Sequence, residues 1–281
     1  MDARLTLEKR IAAETASYDG KMAVYADDLK GNVIAIGADE PFETASTIKT
    51  FILACLFDQV KKGEVSLDEP VVLKPSHMVE GSGVLCSLEP GLSLRLKDAA
   101  TLMIIVSDNV ATNMLIGCLG VDAINRNIKK LGFERTILHN PIHFDRYRRL
   151  GTTTPRDYGE IFVRLAKRQL ISPELDEKML EIFKKQHYNS MLTRNFPPYY
   201  LDCEDTKEEE LISVASKSGS MNACRNDGGI ITTPYGSYVL VMMHKEFSDP
   251  IYYPDHPATV FGARVSRMFL DQYLALEGKF Y

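Results

Sequence analysis

β-type segments stand near the two ends of this chain, and the long stretch between them is helical in pattern. Toward the N-terminus, residues 21–25 and 33–36 flank Lys30-Gly31-Asn32, which reads as a hairpin. Toward the C-terminus, residues 211–216, 229–233 and 238–244 return to β-type composition. In between, residues 97–106, 110–118, 122–130, 155–168 and 173–185 read as helices, with Pro155 and Pro173 where a first turn tolerates proline. A first helix is expected over 3–16, where Leu5, Ile11 and Ala12 recur near helical spacing, and a last one over 259–276. Strands so far apart in sequence are expected to pair in one antiparallel sheet flanked by the terminal helices. The expected fold is therefore α/β of the α+β type. A discontinuous sheet domain (1–45 and 206–281) receives an inserted all-helical domain (46–205), and the polar residues 202–210 form an exposed connection. A cleft between two such bodies is a natural ligand site.

Composition narrows the classes of partner. A chain of 281 residues with 45% hydrophobic and 25% charged residues can bury a large core. Its formal charge of −5 and the lack of a dense Lys/Arg stripe argue against a nucleic-acid surface. The longest apolar runs, 51–57 and 102–106, are far too short to span a membrane. Charges fill the first ten residues, where an export signal would be apolar. The cysteines Cys55, Cys86, Cys118, Cys203 and Cys224 are odd in number and irregular in spacing, as reduced thiols would be. Together these features suggest a cytoplasmic protein whose partner is a small molecule, with no membrane, nucleic acid, metal or cofactor.

Three short elements carry chemistry: Ser46-Thr47-Ile48-Lys49, Ser107-Asp108-Asn109 and Lys217-Ser218-Gly219. A lone Ser-x-x-Lys is weak, since a chain of this length holds roughly one by chance. All three in this order, each on a suitable element, make coincidence well under about 1 in 100. Ser46 opens a helix whose apolar stripe is Ile48, Ile52, Cys55, Leu56 and Val60, and which ends at Lys61-Lys62-Gly63. Free N–H groups there favour a nearby oxyanion. Lys49 lies one turn on, on the same face, and burial together with a second cation at Lys217 would make it a base. Ser107, in a loop after an apolar helix, is placed to relay a proton to a leaving nitrogen. Asp108 is expected to tie its own loop, and Asn109 to face both a substrate amide and Lys49. Lys217 supplies positive charge, Ser218 can bond a substrate carboxylate, and Gly219 permits close approach of a ligand to the backbone.

These elements are those of class A β-lactamases and penicillin-binding proteins. The sequence resembles class A β-lactamases over nearly its whole length. Ala45-Ser46-Thr47-Ile48-Lys49 fits the nucleophile segment, and Gly151-Thr152-Thr153-Thr154-Pro155 fits the segment after the omega loop. Asn226-Asp227-Gly228 is expected on the turn into the next strand. The resemblance implies the β-lactamase/transpeptidase-like fold, and an oxyanion hole made by the backbone N–H groups of Ser46 and Ser220. Arg225 stands near the place where some class A enzymes keep an arginine for the substrate carboxylate; a surface arginine is the equal alternative.

One departure matters for function. Class A enzymes carry an omega-loop glutamate that, with an asparagine, holds the water that clears the acyl-enzyme. Here residues 136–154 contain no glutamate. His139, His143 and Asp145 are the obvious replacements, and they read as ordinary loop residues. Pro141 argues against a helix that would align the two histidines on a metal. The resulting expectation is a serine hydrolase that is acylated at Ser46 by β-lactams or related amides and esters, and that deacylates slowly. The alternatives are a D-alanyl peptidase or esterase of the same fold, and a non-catalytic β-lactam sensor.

Overall fold

The computed structural model describes residues 3–147, 149–201 and 210–281. The chain begins with α1 (Ala3–Glu14), β1 (Lys21–Asp27), β2 (Val33–Ile36), β3 (Phe42–Glu43) and α2 (Lys49–Lys62). It continues through β4 (Pro70–Val72), β5 (Ser93–Arg95), α3 (Leu96–Ile105), α4 (Asn109–Leu119) and α5 (Val121–Lys130). Then come β6 (Ile137–Leu138), β7 (Gly151–Thr153), α6 (Pro155–Ala166), α7 (Pro173–Lys184) and α8 (Pro198–Leu201). The chain closes with β8 (Ser213–Ser216), β9 (Gly219–Met221), β10 (Cys224–Thr233), β11 (Gly236–Lys245) and α9 (Pro257–Ala275).

Both ends of the chain meet in one antiparallel sheet of order β2-β1-β11-β10-β8, with β9 also paired to β10. Alternation along its strands separates two cores. Ala23 and Tyr25 of β1, with Val239, Val241 and Met243 of β11, face the helical block. Val24 and Ala26, with Tyr238, Leu240 and Met242, face α1 and α9. Met191, Leu192 and Phe196 also fill this second core. The acidic connection expected at 202–210 falls, apart from exposed Glu210, outside the described residues.

Several elements differ from expectation for identifiable reasons. In α1 the buried pair is Leu7 and Ile11, spaced i,i+4, whereas Ala12 is exposed. Ser46 lies in a 3-10 turn (Ala45–Ile48), and the α-helix proper begins at Lys49. That helix is buried on all sides from Lys49 to Asp58 rather than along one stripe, because it is the central post of the helical block. Asn226, Asp227 and Gly228 are interior residues of β10, not a turn. Their polar side chains are satisfied: Asn226 donates to the Glu43 carbonyl (2.8 Å), and Asp227 accepts from the N–H groups of Leu192 (3.0 Å) and Gly228 (2.9 Å). The described cysteines Cys55, Cys86, Cys118 and Cys224 are free thiols, while Cys203 lies outside the described residues. No helix among the described residues is long and apolar enough to cross a membrane.

Candidate active site

The site forms where α2, the loop between α3 and α4, and the segment joining β8 to β9 converge. Two of its residues carry unusual backbone. Ala45, immediately before Ser46, has φ 44°, and Ser107 has φ 53°. Each left-handed non-glycine residue costs on the order of 1–3 kcal/mol, a cost that persists only where the surroundings enforce it. Around Ser46 the enforcing bonds run from the Thr47 N–H (3.1 Å) and Thr47 hydroxyl (2.7 Å) to the Thr44 carbonyl.

Asp108 enforces the other. Its Oδ2 accepts from the N–H groups of Val84 (2.7 Å) and Leu85 (2.9 Å), and its Oδ1 caps α4 through the Ala111 N–H (2.8 Å). The role expected for Asp108, tying its loop, extends to a second loop. Gly83 is obligatory at this junction, since it has φ +108° and a Cβ there would stand 2.3 Å from Asp108 Oδ2. Asn109 completes the lock, donating from its side chain to the Glu80 carbonyl (3.1 Å).

Within this frame Lys49 is wholly buried. Its Nζ contacts the Ser107 carbonyl (2.7 Å), Ser107 Oγ (3.1 Å) and Asn109 Oδ1 (2.9 Å). Lys217 Nζ approaches the same Ser107 Oγ from the other side (3.1 Å) and donates to the Ser218 carbonyl (2.7 Å). Burial, and then the neighbouring charge of Lys217, hold Lys49 well below the usual lysine range, with Asp108 opposing. Burial brings Lys217 down to about 7 against the pull of Asp227, whose own buried carboxyl is raised to about 6. One serine hydroxyl therefore bridges two lysines that cannot both be comfortably charged. Such a hydroxyl can accept from the charged lysine and donate to the neutral one.

Gly219 lies flat against the Ser46 turn. A Cβ there would stand 2.8 Å from the Ser46 backbone nitrogen and 2.7 Å from that of Thr47. The β9 strand, carrying Ser220 opposite Arg225, thus forms the wall facing the Ser46 N–H. The Tyr158 hydroxyl anchors this wall through the Lys217 carbonyl.

Of the sequence-derived residues, Ser46, Ser107, Asn109, Ser218, Gly219 and Ser220 all line one cleft of about 1180 Å³, with Lys49 and Lys217 beneath them. Arg225 also lines the cleft, with its guanidinium tied inward. Its guanidinium, 1% exposed, donates to the carbonyls of Met221, Cys224 and Pro250 and sits over the rings of Phe247 and Tyr252. It braces the β9–β10 hairpin, and those nitrogens are committed to the protein's own backbone. In the omega segment only His143 of the three named candidates lines the cleft. His139 is exposed and bonds the Thr152 hydroxyl (2.9 Å), and Asp145 is exposed.

Two contributors were missed from the sequence. Asn113, one turn after Asn109 on α4, clamps the omega segment: its side chain accepts from the Ile142 N–H (2.9 Å) and donates to the Ile142 carbonyl (2.9 Å). The i,i+4 spacing from Asn109 was its available signal. Glu43, three residues before Ser46, lines the cleft and accepts from the N–H groups of Leu150 (2.9 Å) and Gly151 (3.2 Å). No motif marks it. The aromatic side chains of Phe144, Tyr147, Tyr188 and Tyr252 form the mouth.

A model of the beta-lactamase enzyme family matches residues 6–273. The chain belongs to this family. Among solved structures it is similar to a beta-lactamase from Sphaerobacter thermophilus, with 30% identity, TM-score 0.82, and coverage of 96% of this chain and 97% of that one. It is equally similar in shape to PBP-A, at 28% identity and TM-score 0.82 over 98% and 97% of the two chains. A variant of PBP-A was solved as an acyl-enzyme complex with penicillin G. A curated relative, beta-lactamase SME-1 of Serratia marcescens, is 27% identical over 153 residues, covering 53% of this chain and 50% of that protein. Beta-lactamase BRO-1 of Moraxella catarrhalis is 25% identical over 174 residues, or 57% and 55%. The chain thus spans about half the length of the curated relatives it matches. The fold is that of the β-lactamases and their penicillin-binding counterparts.

The packing of Gly219 on the Ser46 turn yields a direct test. Gly219→Ala pushes a methyl group against the N–H that would hold a developing oxyanion, and losing such a donor costs roughly 10²–10³ in rate. Labelling of Ser46 by a fluorophosphonate is expected to slow at least about 100-fold. A labelling rate close to that of the unaltered protein would contradict this account of the wall.

Proposed function

We propose that this protein is a serine hydrolase that opens β-lactams and related amides or esters through an acyl-enzyme at Ser46. The observation that carries the reading is the Ser107 hydroxyl, 3.1 Å from both Lys49 Nζ and Lys217 Nζ. A neutral Lys49 amine accepts the Ser46 proton as Oγ attacks the carbonyl carbon. The N–H groups of Ser46 and Ser220 receive the oxyanion. The proton then passes from Lys49 through Ser107 to the leaving nitrogen or oxygen, leaving Lys49 neutral again. Asn109 faces the substrate amide, while Lys217 and Ser218 hold a substrate carboxylate.

Deacylation is the slow step in this reading. The omega segment offers His143 but no carboxylate to the cleft, and a missing general base costs on the order of 10²–10⁴ in the step that it serves. The same feature favours a second reading, a D-alanyl peptidase or esterase that β-lactams inhibit. Sustained turnover of a D-alanyl-D-alanine peptide, with a stable penicillin adduct, would select it.

Intact mass spectrometry with a penicillin, a cephalosporin and a simple ester tests the common step. The expected result is a one-to-one adduct on Ser46 that decays slowly and is lost entirely in Ser46→Ala. Labelling that persists in Ser46→Ala would overturn the assignment. The acylation rate should also depend on pH in a substrate-specific way. Lys217 is cationic below about pH 7 and loses its charge as pH rises through that value. Acylation by carboxylate-bearing β-lactams should therefore decline above about pH 7, more steeply than acylation by neutral esters. Identical profiles for the two substrate classes would contradict the pairing role of Lys217.

A further inference from the structure

At about 1180 Å³ the cleft exceeds the roughly 300–1,000 Å³ that encloses a drug-sized ligand, so it has room beyond the reacting bond. The apolar surface it presents there consists of rings. Phe144, Tyr147 and Tyr252 are 51%, 42% and 59% exposed, whereas the aliphatic lining residues Ile142 and Leu150 are buried and Met221 packs against the helical-side core. Large apolar side chains scattered singly over a surface are ordinary, but gathered in one concavity they mark a binding surface.

Two of these rings are held in place from behind. Asn113 binds both the N–H (2.9 Å) and the carbonyl (2.9 Å) of Ile142, two residues before Phe144. The Phe144 ring then reaches the backbone of Gly81 on a separate loop. A Cβ on Gly81 would stand 3.4 Å from Phe144 Cε2 and 2.8 Å from Asn109 Nδ2, so the ring edge and the Asn109 amide flank the same point. Gly81, with φ +102°, leaves that space free. Tyr252 is held on the β9–β10 side. Arg225 donates to the Pro250 carbonyl (3.0 Å), two residues before Tyr252, and its guanidinium carbon lies 5.5 Å from the centre of the Tyr252 ring. Arg225 is in turn the register partner of Ser220. Rings fixed in this way lose little freedom when a ligand settles on them.

We propose that Phe144 and Tyr252 set specificity for the acyl half of the substrate, and that this half carries an aromatic ring one amide away from the reacting carbonyl. The inference deepens the acyl-enzyme reading and rests on it. A substrate whose carbonyl oxygen points to the Ser46 and Ser220 N–H groups, and whose side amide meets Asn109, extends its substituent toward the Phe144 ring beside Asn109. The Tyr252 ring, held on the partner of Ser220, bounds the same space from the strand side. Stacked or edge-to-face aromatic pairs add about 2- to 10-fold in affinity beyond what buried area alone provides. An aliphatic group of equal size gains the area and forgoes that part.

Three penicillins that differ only in the acyl group on the side amide, phenylacetyl, cyclohexylacetyl or acetyl, isolate the effect, because the reacting bond is the same in each. Second-order acylation rate constants should be measured by stopped flow, with the Ser46 adduct confirmed by intact mass. The phenylacetyl compound is expected to react about fivefold or more faster than the cyclohexylacetyl one, although the cyclohexyl ring buries at least as much apolar area. Phe144→Leu and Tyr252→Leu keep apolar bulk without a ring. Each should lower that preference about 2- to 10-fold, and the double variant should remove it. Equal rates for the two compounds in the unaltered protein, or a preference intact in the double variant, would overturn the proposal. If the double variant folds poorly, the single variants decide by the same ratio, and an unchanged ratio in both overturns it. Acylation of Ser46 by a simple ester but by none of the three penicillins removes the proposal alone. Acylation by neither class of compound removes the acyl-enzyme reading itself.

Discussion

Burial of the Lys49 amine is the constraint on which the rest of the site depends. An ammonium taken out of water costs several kcal/mol unless it is compensated, and Lys49 has no carboxylate in contact to compensate it. Its partners are a carbonyl, a hydroxyl and an amide oxygen, and a second lysine stands across that hydroxyl. This environment favours the neutral amine. A fold that buries a lysine in this way loses a charge and gains a base.

The surrounding architecture keeps the amine and the Ser107 hydroxyl in register. Lys49 starts a helix buried on all sides, so its position follows the packing of the whole helical block. Ser107 is held in a left-handed backbone by Asp108, which joins the N-terminus of α4 to the loop at Val84 and Leu85. The sheet contributes Lys217 and the flat Gly219 wall, braced from behind by Tyr158 and Arg225. Three separate parts of the chain therefore meet at one hydroxyl. Asn113 and Glu43 then fasten the omega segment to this assembly by hydrogen bonds to its backbone.

The three short polar elements were legible because each is local, and because their residue types have few other uses in that order. Ser46, Lys49, Ser107, Asn109 and Lys217 come together as their spacing implied. The helices and the hairpin were legible for a similar reason, since period and proline position are local signals. What the sequence concealed depends on long-range contact. Asn226-Asp227-Gly228 has the composition of a turn, yet Glu43, Leu192 and His244 satisfy its polar groups inside a strand. Arg225 reads equally as a ligand for a carboxylate or as a surface arginine, whereas its guanidinium is buried against three carbonyls and two rings that are distant in sequence or unmarked by any motif. Glu43 belongs to no motif. Its placement comes from a two-residue strand paired across more than a hundred positions.

Side-chain NMR of lysine-labelled protein, titrating Lys49 directly, is the most direct test of the central claim. The account predicts that Lys49 is neutral far below the ordinary lysine value of 10.5, and that Lys217→Ala raises its pKa by removing the neighbouring positive charge. A Lys49 amine that titrates near 10.5, or one that is indifferent to Lys217→Ala, would contradict it.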